Sequence, residues 1–135
     1  MHPPALNVMD SIGPLIGAAV FTALMALVKE PFRLRLNGVL VLGASGVYLS
    51  GGLGPWELVY AFGVGLPLGS FALGSYRFVA LAWFAHSTWD VVHHFWGNPI
   101  WPFAPTSSWG CMLFDSAFAL GLLALHVTSS RRLAR

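Results

Sequence analysis

The chain has 135 residues, of which 56% are hydrophobic and only 9% charged, with a formal charge of +2. A soluble domain carries about 25% charged residues, so this composition excludes a water-exposed globular protein and predicts an integral membrane protein, an expectation that the mean hydropathy of +0.70 reinforces. The basic balance does not point to nucleic acid, because the lysine and arginines lie in loops and tail beside apolar spans, where basic residues set membrane orientation.

The predicted elements are five transmembrane helices in a single domain covering 1–135. The first, 11–28, has Pro14 near its start, where a missing N–H costs least, and Gly13-x-x-x-Gly17 as a small-residue packing face. Lys29 to Arg35 forms a short basic loop. The second span, 36–53, is glycine-rich and ends at the turn Gly51-Gly52-Leu53-Gly54-Pro55. The third, 56–73, begins near Glu57 and should kink at Gly65-Leu66-Pro67. The fourth, 78–96, follows Gly74 to Arg77. A loop over 97–108, broken by three prolines and rich in aromatic residues, precedes the fifth span, 109–127.

If the spans alternate, Lys29, Arg33, Arg35, Arg77, Arg131, Arg132 and Arg135 share one side and the other side has neither Lys nor Arg. The positive-inside rule then places the C-terminus in the cytoplasm and the N-terminus outside. This describes an all-α, polytopic bundle in a bacterial inner membrane. A single cysteine, Cys111, excludes an intrachain disulfide. The N-terminal stretch has no basic region and carries Asp10, unlike a signal peptide. Trp56, Trp96, Trp101 and Trp109 suit an outer aromatic belt, and Trp83 and Trp89 suit core or pocket walls.

The chemistry concentrates in His86-Ser87-Thr88-Trp89-Asp90-Val91-Val92-His93-His94. At about 100° per residue, His86, Asp90 and His93 fall within roughly 60° of one another, with His94 roughly 40° beyond Asp90. Asp90 and Asp115 both lie seven residues inside their spans, roughly 10 Å below the outer surface at 1.5 Å per residue, and His86 lies deeper at roughly 16 Å. Consecutive antiparallel spans tend to touch. One point in the outer half can therefore gather His86, Asp90, Asp115 and one or both of His93 and His94, with Asp10, Glu57 and Cys111 within reach. Each such group costs about 2.5–3.5 kcal/mol at a span centre if it faces lipid, so they must face inward and neutralise one another or bind a cation. The expected metal ligands are His86, Asp90, His93, His94 and Asp115, a set suited to zinc, iron or manganese. Asp90, Asp115 and His86 are the expected acid–base residues.

His86-x-x-Trp89-Asp90-x-x-His93-His94, followed by Gly97-Asn98-Pro99-Ile100-Trp101-Pro102, Ser107-Ser108-Trp109-Gly110-Cys111 and Asp115, resembles an uncharacterised family of small bacterial integral membrane proteins. The resemblance covers residues 86 to 115. It implies that both ends of the loop belong with the motif, and it carries no mechanism. The expected function is a metal-dependent or acid–base membrane enzyme acting on a lipid-like or small apolar substrate. The alternatives are a metal-ion or proton transporter or sensor, which should have polar groups in both halves of the membrane, and a structural subunit of a membrane complex. The Gly faces suit association with further copies of the chain.

Overall fold

The computed structural model describes residues 3–133. Among these the chain forms helices α1 (Val8–Leu27), α2 (Phe32–Ala44), α3 (Pro55–Tyr60), α4 (Leu66–Ala72), α5 (Tyr76–Trp96) and α6 (Ser107–Leu133). A π-helical turn, Ala61–Gly65, joins α3 to α4 into one rod, so five rods result and the all-α expectation holds. The described residues contain no strand, only an isolated bridge between Trp101 and Ala104. The expected placements of Arg131, Arg132 and Arg135 fall on residues or side chains outside this description.

Local chemistry explains where the rods depart from the expected spans. α1 starts earlier, at Val8, because Asn7 caps it: its Oδ1 accepts from the Met9 and Asp10 amides at 2.8 and 3.2 Å. Asp10 accepts from the Asn7 amide in return at 2.7 Å, which closes a capping box. Pro14 therefore lies inside the helix rather than in its first turn. α2 begins just after Pro31 and absorbs much of the expected basic loop. It stops at Ala44, and a short 3-10 turn over Val47–Ser50 replaces the rest of the expected 36–53 helix. Gly52 and Gly54, with φ of +88° and +61°, make the turn into α3, a backbone region that side chains with a Cβ rarely enter. The kink expected at Pro67 is the π turn, which absorbs the hydrogen bond that proline cannot donate.

α6 packs between α1 and α5; α4 packs on α5, and α2 on α4 and α5. Glycine sets two of these approaches. A Cβ on Gly38 would come within 2.9 Å of the Leu73 backbone, and one on Gly121 within 2.5 Å of Thr22 Oγ1. Such close approach through small residues is how helices associate in lipid. Ala18, Val41, Ala72, Val79, Phe118 and Leu122 fill the middle, each at most 1% exposed.

Two helices among the described residues are long and apolar enough to cross a membrane, Val8–Leu27 and Ser107–Ser130. α5 has the length, with 21 residues, but its His and Asp residues lower its hydropathy. Large apolar side chains cover the outside of the bundle, including Ile16, Val20 and Leu24 of α1 and Leu120 and Val127 of α6.

The rods place the polar groups at two levels. At one end, Arg33 bonds Glu30 Oε1 through Nε and Nη2 at 2.9 and 2.6 Å, and its Nε also reaches Tyr76 Oη at 2.9 Å. Tyr76 donates to Glu30 at 2.6 Å. Burial works to raise the Glu30 pKa, but the hydrogen bonds from Tyr76 and Arg33 and the Arg33 charge together hold this carboxyl below its ordinary value. Nearby, Asn37 is wholly buried and donates to the Arg33 carbonyl at 2.8 Å. α2 thus carries a buried amide and a buried guanidinium at this end of the bundle. At the opposite end, the starts of α1, α3 and α6 and the end of α5 come together. Thr106 donates to Asp10 at 2.9 Å and Trp109 Nε1 to Ser11 at 3.0 Å.

Candidate metal and acid–base centre

His86, Asp90 and Asp115 meet between α5 and α6. One potential ligand atom from each lies within 4.8 Å of the others, and all three residues are buried. His86 and Asp90 share a face because they are four residues apart on α5. Asp115 arrives from α6, whose register on α5 is pinned by Ser87: its Oγ donates to the Met112 carbonyl at 2.9 Å and lies 2.6 Å from Ser116 Oγ. His86 Nε2 stands 3.8 Å from Asp115 Oδ2. On the other edge of the ring, Tyr60 Oη of α3 stands 3.5 Å from Nδ1. A hydroxyl donating to Nδ1 would leave Nε2–H turned toward Asp115. A metal on Nε2 would instead leave Nδ1–H for the Tyr60 oxygen, the usual outer partner of a ligating histidine.

The three-residue group can hold a metal ion: one imidazole nitrogen and two carboxylates, brought together by two helices. Two carboxylates this close and this buried repel each other unless a positive charge or a proton lies between them. The arrangement is therefore suited to a cation or to a shared proton, and His86 is placed to exchange that proton.

The structure does not bring His93 or His94 into this group. His93 lies seven residues from His86, roughly 10 Å along the axis, and belongs to a second cluster nearer the helix end. Its Nε2 is 3.2 Å from Glu57 Oε2 and its Nδ1 is 3.3 Å from the Asn98 carbonyl. Glu57 is 3% exposed. It also accepts from the Leu53 amide at 3.0 Å and from Trp89 Nε1 at 3.4 Å. The Asn98 amide donates to the Gly51 carbonyl at 2.7 Å. A Cβ on Gly51 would fall 2.0 Å from His93 Cε1, so only glycine admits the ring. This cluster ties the end of α5, the turn before α3 and the start of the 97–106 loop together. His94 is also buried, against Trp109 at 5.6 Å between ring centroids, and its Nδ1 has no hydrogen-bond partner.

Asp10 serves the α1 cap and the loop. Cys111 lines a chamber next to the group. Tyr60 is the residue that the sequence did not single out, and Glu57, expected within reach of the His86 group, pairs with His93 instead. Their signal was their three-residue spacing, which puts both on one face of α3.

The chamber has a volume of about 580 Å³ and is bounded by α1, α5, α6, the end of α2 and the 100–107 loop. His86, Asp115 and Trp83 stand at its deep end, and Ile100, Trp101, Met9 and Pro14 nearer the loop. That volume falls in the range of small-molecule sites. A second cavity of about 320 Å³ lies beside His93 and Asn98.

A family model described as a family of unknown function (DUF6010) matches residues 9–128. No curated protein and no solved structure matches the chain.

Proposed function

The chain belongs to that family of unknown function, so its activity has to be read from the site, and we propose that it is a multi-pass membrane enzyme. Its centre, His86, Asp90 and Asp115, works in the outer half of the bilayer on a lipid-like or small apolar substrate. The observation that carries this reading is the meeting of two buried acids and a histidine at the wall of a largely apolar chamber. Ionisable groups inside a span are functional by default because lipid makes them expensive.

The membrane frame is supported by the two long apolar helices and by the apolar exterior of the bundle. α1, at 20 residues, measures roughly 30 Å, the thickness of the hydrocarbon layer. Lys29, Arg33, Arg35 and Arg77 gather at the end away from the site, which favours an N-terminus outside and that end in the cytoplasm. The core of Ala18, Val41, Ala72, Val79, Phe118 and Leu122 separates the polar clusters at the two levels. That favours a site closed toward the cytoplasm over a transport path.

Zinc, iron or manganese fits the donor set. Such an ion would be held by His86, Asp90 and Asp115 and would supply Lewis acidity. Asp90 and Asp115 hold and move a proton, His86 relays it, and Trp83, Phe114 and the 100–107 loop exclude bulk water. Metal analysis of the protein purified in lipid nanodiscs, wild type against Asp90→Asn and His86→Ala, tests the metal form of the proposal. One ion per chain in the wild type, lost in both variants, is the expected result. Wild-type protein that takes up no stoichiometric metal from any of the three ions would sink it.

A further inference from the structure

We infer that Trp89 is a positioning residue of the centre: its indole, anchored on the Glu57–His93 pair, braces the Tyr60 ring and so holds the His86 imidazole in one tautomer. This rests on the reading of His86, Asp90 and Asp115 as the working centre and names what aims the imidazole. Trp89 is three residues after His86 and four before His93, so the three share one side of α5. Its indole lies parallel to the Tyr60 ring, with centroids 4.8 Å apart and 3° between the planes, a separation that aromatic pairs favour. Its Nε1 donates to Glu57 Oε2 at 3.4 Å, and the His93 ring stands 5.8 Å away at 73°. The same Glu57 oxygen is 3.2 Å from His93 Nε2. Tyr60 in turn presents Oη to His86 Nδ1 at 3.5 Å.

The two ends of this series differ in stiffness, and that difference gives Trp89 its role. At one end Glu57 is buried and also accepts from the Leu53 amide, so the main chain holds it. At the other, Tyr60 is the last residue of α3 and is followed at once by the π turn, a break in the regular hydrogen-bond ladder. Its 3.5 Å contact with His86 is at the long limit of a hydrogen bond, so a small rotation of the phenol makes or breaks it. The parallel indole restricts that rotation from one face of the ring. Which imidazole nitrogen carries the hydrogen is set by the bond that the other makes. When Tyr60 donates to Nδ1, the hydrogen sits on Nε2, toward Asp115. When a metal takes Nε2, the hydrogen sits on Nδ1 and Tyr60 accepts it. A braced hydroxyl defines the ring in both cases, and a loose one lets the tautomers exchange. Trp89 is itself only half-buried, so replacing it leaves no hole in the core.

The experiment uses the full chain in lipid bilayers, with ring-nitrogen-labelled histidine read by solid-state NMR and the His86 signals assigned by their loss in His86→Ala. In the metal-free wild type the two His86 nitrogens should give well-separated shifts, the mark of one neutral tautomer. Trp89→Leu and Tyr60→Phe should each draw the shifts together, and Trp89→Phe, which keeps a ring against Tyr60, should keep them apart. A role in packing alone would lower stability without moving these shifts. Zinc affinity gives the second readout. Trp89→Leu should weaken it by up to about tenfold, as for a group behind the ligands. The double variant with Tyr60→Phe should be no weaker than Tyr60→Phe alone, because Trp89 acts through that residue. Merged shifts in the wild type, separated shifts in Trp89→Leu, merging in Trp89→Phe as complete as in Trp89→Leu, or additive losses of affinity would each overturn the inference. The NMR readout needs no metal. A tautomer lost in the variants of a protein that takes up no metal removes the metal and leaves Trp89 its role, whereas equal zinc affinity in wild type and Trp89→Leu removes the role and leaves the centre.

Discussion

His86 on α5 and Asp115 on α6 face each other across the helix pair, with Nε2 and Oδ2 3.8 Å apart. This relationship turns one polar helix face into a two-helix centre. With a metal bound as proposed, Asp115 would supply one of three protein ligands among the described residues, so its loss should weaken metal binding more than the loss of an outer partner does. Asp115→Asn is expected to lower zinc or manganese affinity at least about 100-fold, and Tyr60→Phe about tenfold, the range seen for groups behind the ligands. Competition titration against a chelating dye in nanodiscs checks both. An Asp115→Asn protein with wild-type affinity would remove that residue from the centre.

His93 and Glu57 form a clasp rather than part of that centre, and they should affect stability more than metal. Removing one partner takes a buried hydrogen bond from the other, a loss of about 1–3 kcal/mol. His93→Ala and Glu57→Ala should each lower unfolding free energy by about that much, and the double variant by less than the sum. Metal stoichiometry should remain that of the wild type. Unfolding in mixed micelles, with metal analysis of the folded fraction, measures both. Loss of metal in His93→Ala at unchanged stability would return His93 to the ligand set.

The contrast between His86 and His93 shows what the residue pattern could reveal. Helical periodicity places His86, Asp90 and His93 on one face, and the matched depths of Asp90 and Asp115 anticipate their meeting. Angle alone says nothing about axial level, and two turns of helix carry His93 into a different layer, opposite Glu57. Glu57 reads as within reach of the His86 group rather than as the partner of His93, because nothing local shows how the Gly51–Gly54 turn folds it inward. Five helical rods were legible from apolar runs and breakers. The early start of α2 was not, because Pro31 followed by arginines reads as a loop until Tyr76 and Glu30 appear as partners for Arg33.

The Glu30–Arg33–Tyr76 cluster gives the far end a pH dependence of definite sign. The Glu30 carboxyl sits below its ordinary value of 4.5 in the folded protein. Its contribution is therefore complete above that value and is lost as pH falls through the lower, folded-state value. Glu30→Gln should cost about 1 kcal/mol at neutral pH, since the Glu30 side chain is 42% exposed and solvent screens the pair. The variant and wild type should converge in stability as the pH falls through the folded-state value of Glu30. Thermal unfolding monitored by circular dichroism between pH 3 and 7 checks this, and a gap that widens on acidification would refute the assignment.

Glycine substitutions should separate helix contact from helix propensity. At Gly38 a Cβ would strike the Leu73 backbone at 2.9 Å, which cannot swing aside as a side-chain end can. Gly38→Ala must therefore push α2 away from α4 and should destabilise by about 1–3 kcal/mol, the usual cost of overpacking. At Gly43, on the same helix, a Cβ would meet nothing within 4 Å. Gly43→Ala should then be neutral or stabilising by up to about 1 kcal/mol through helix propensity alone. Unfolding of both variants in the same micelles supplies the comparison. If a second copy of the chain packs on the open face at Gly43, that variant will also lose stability, and the loss will track a shift toward monomer in light scattering.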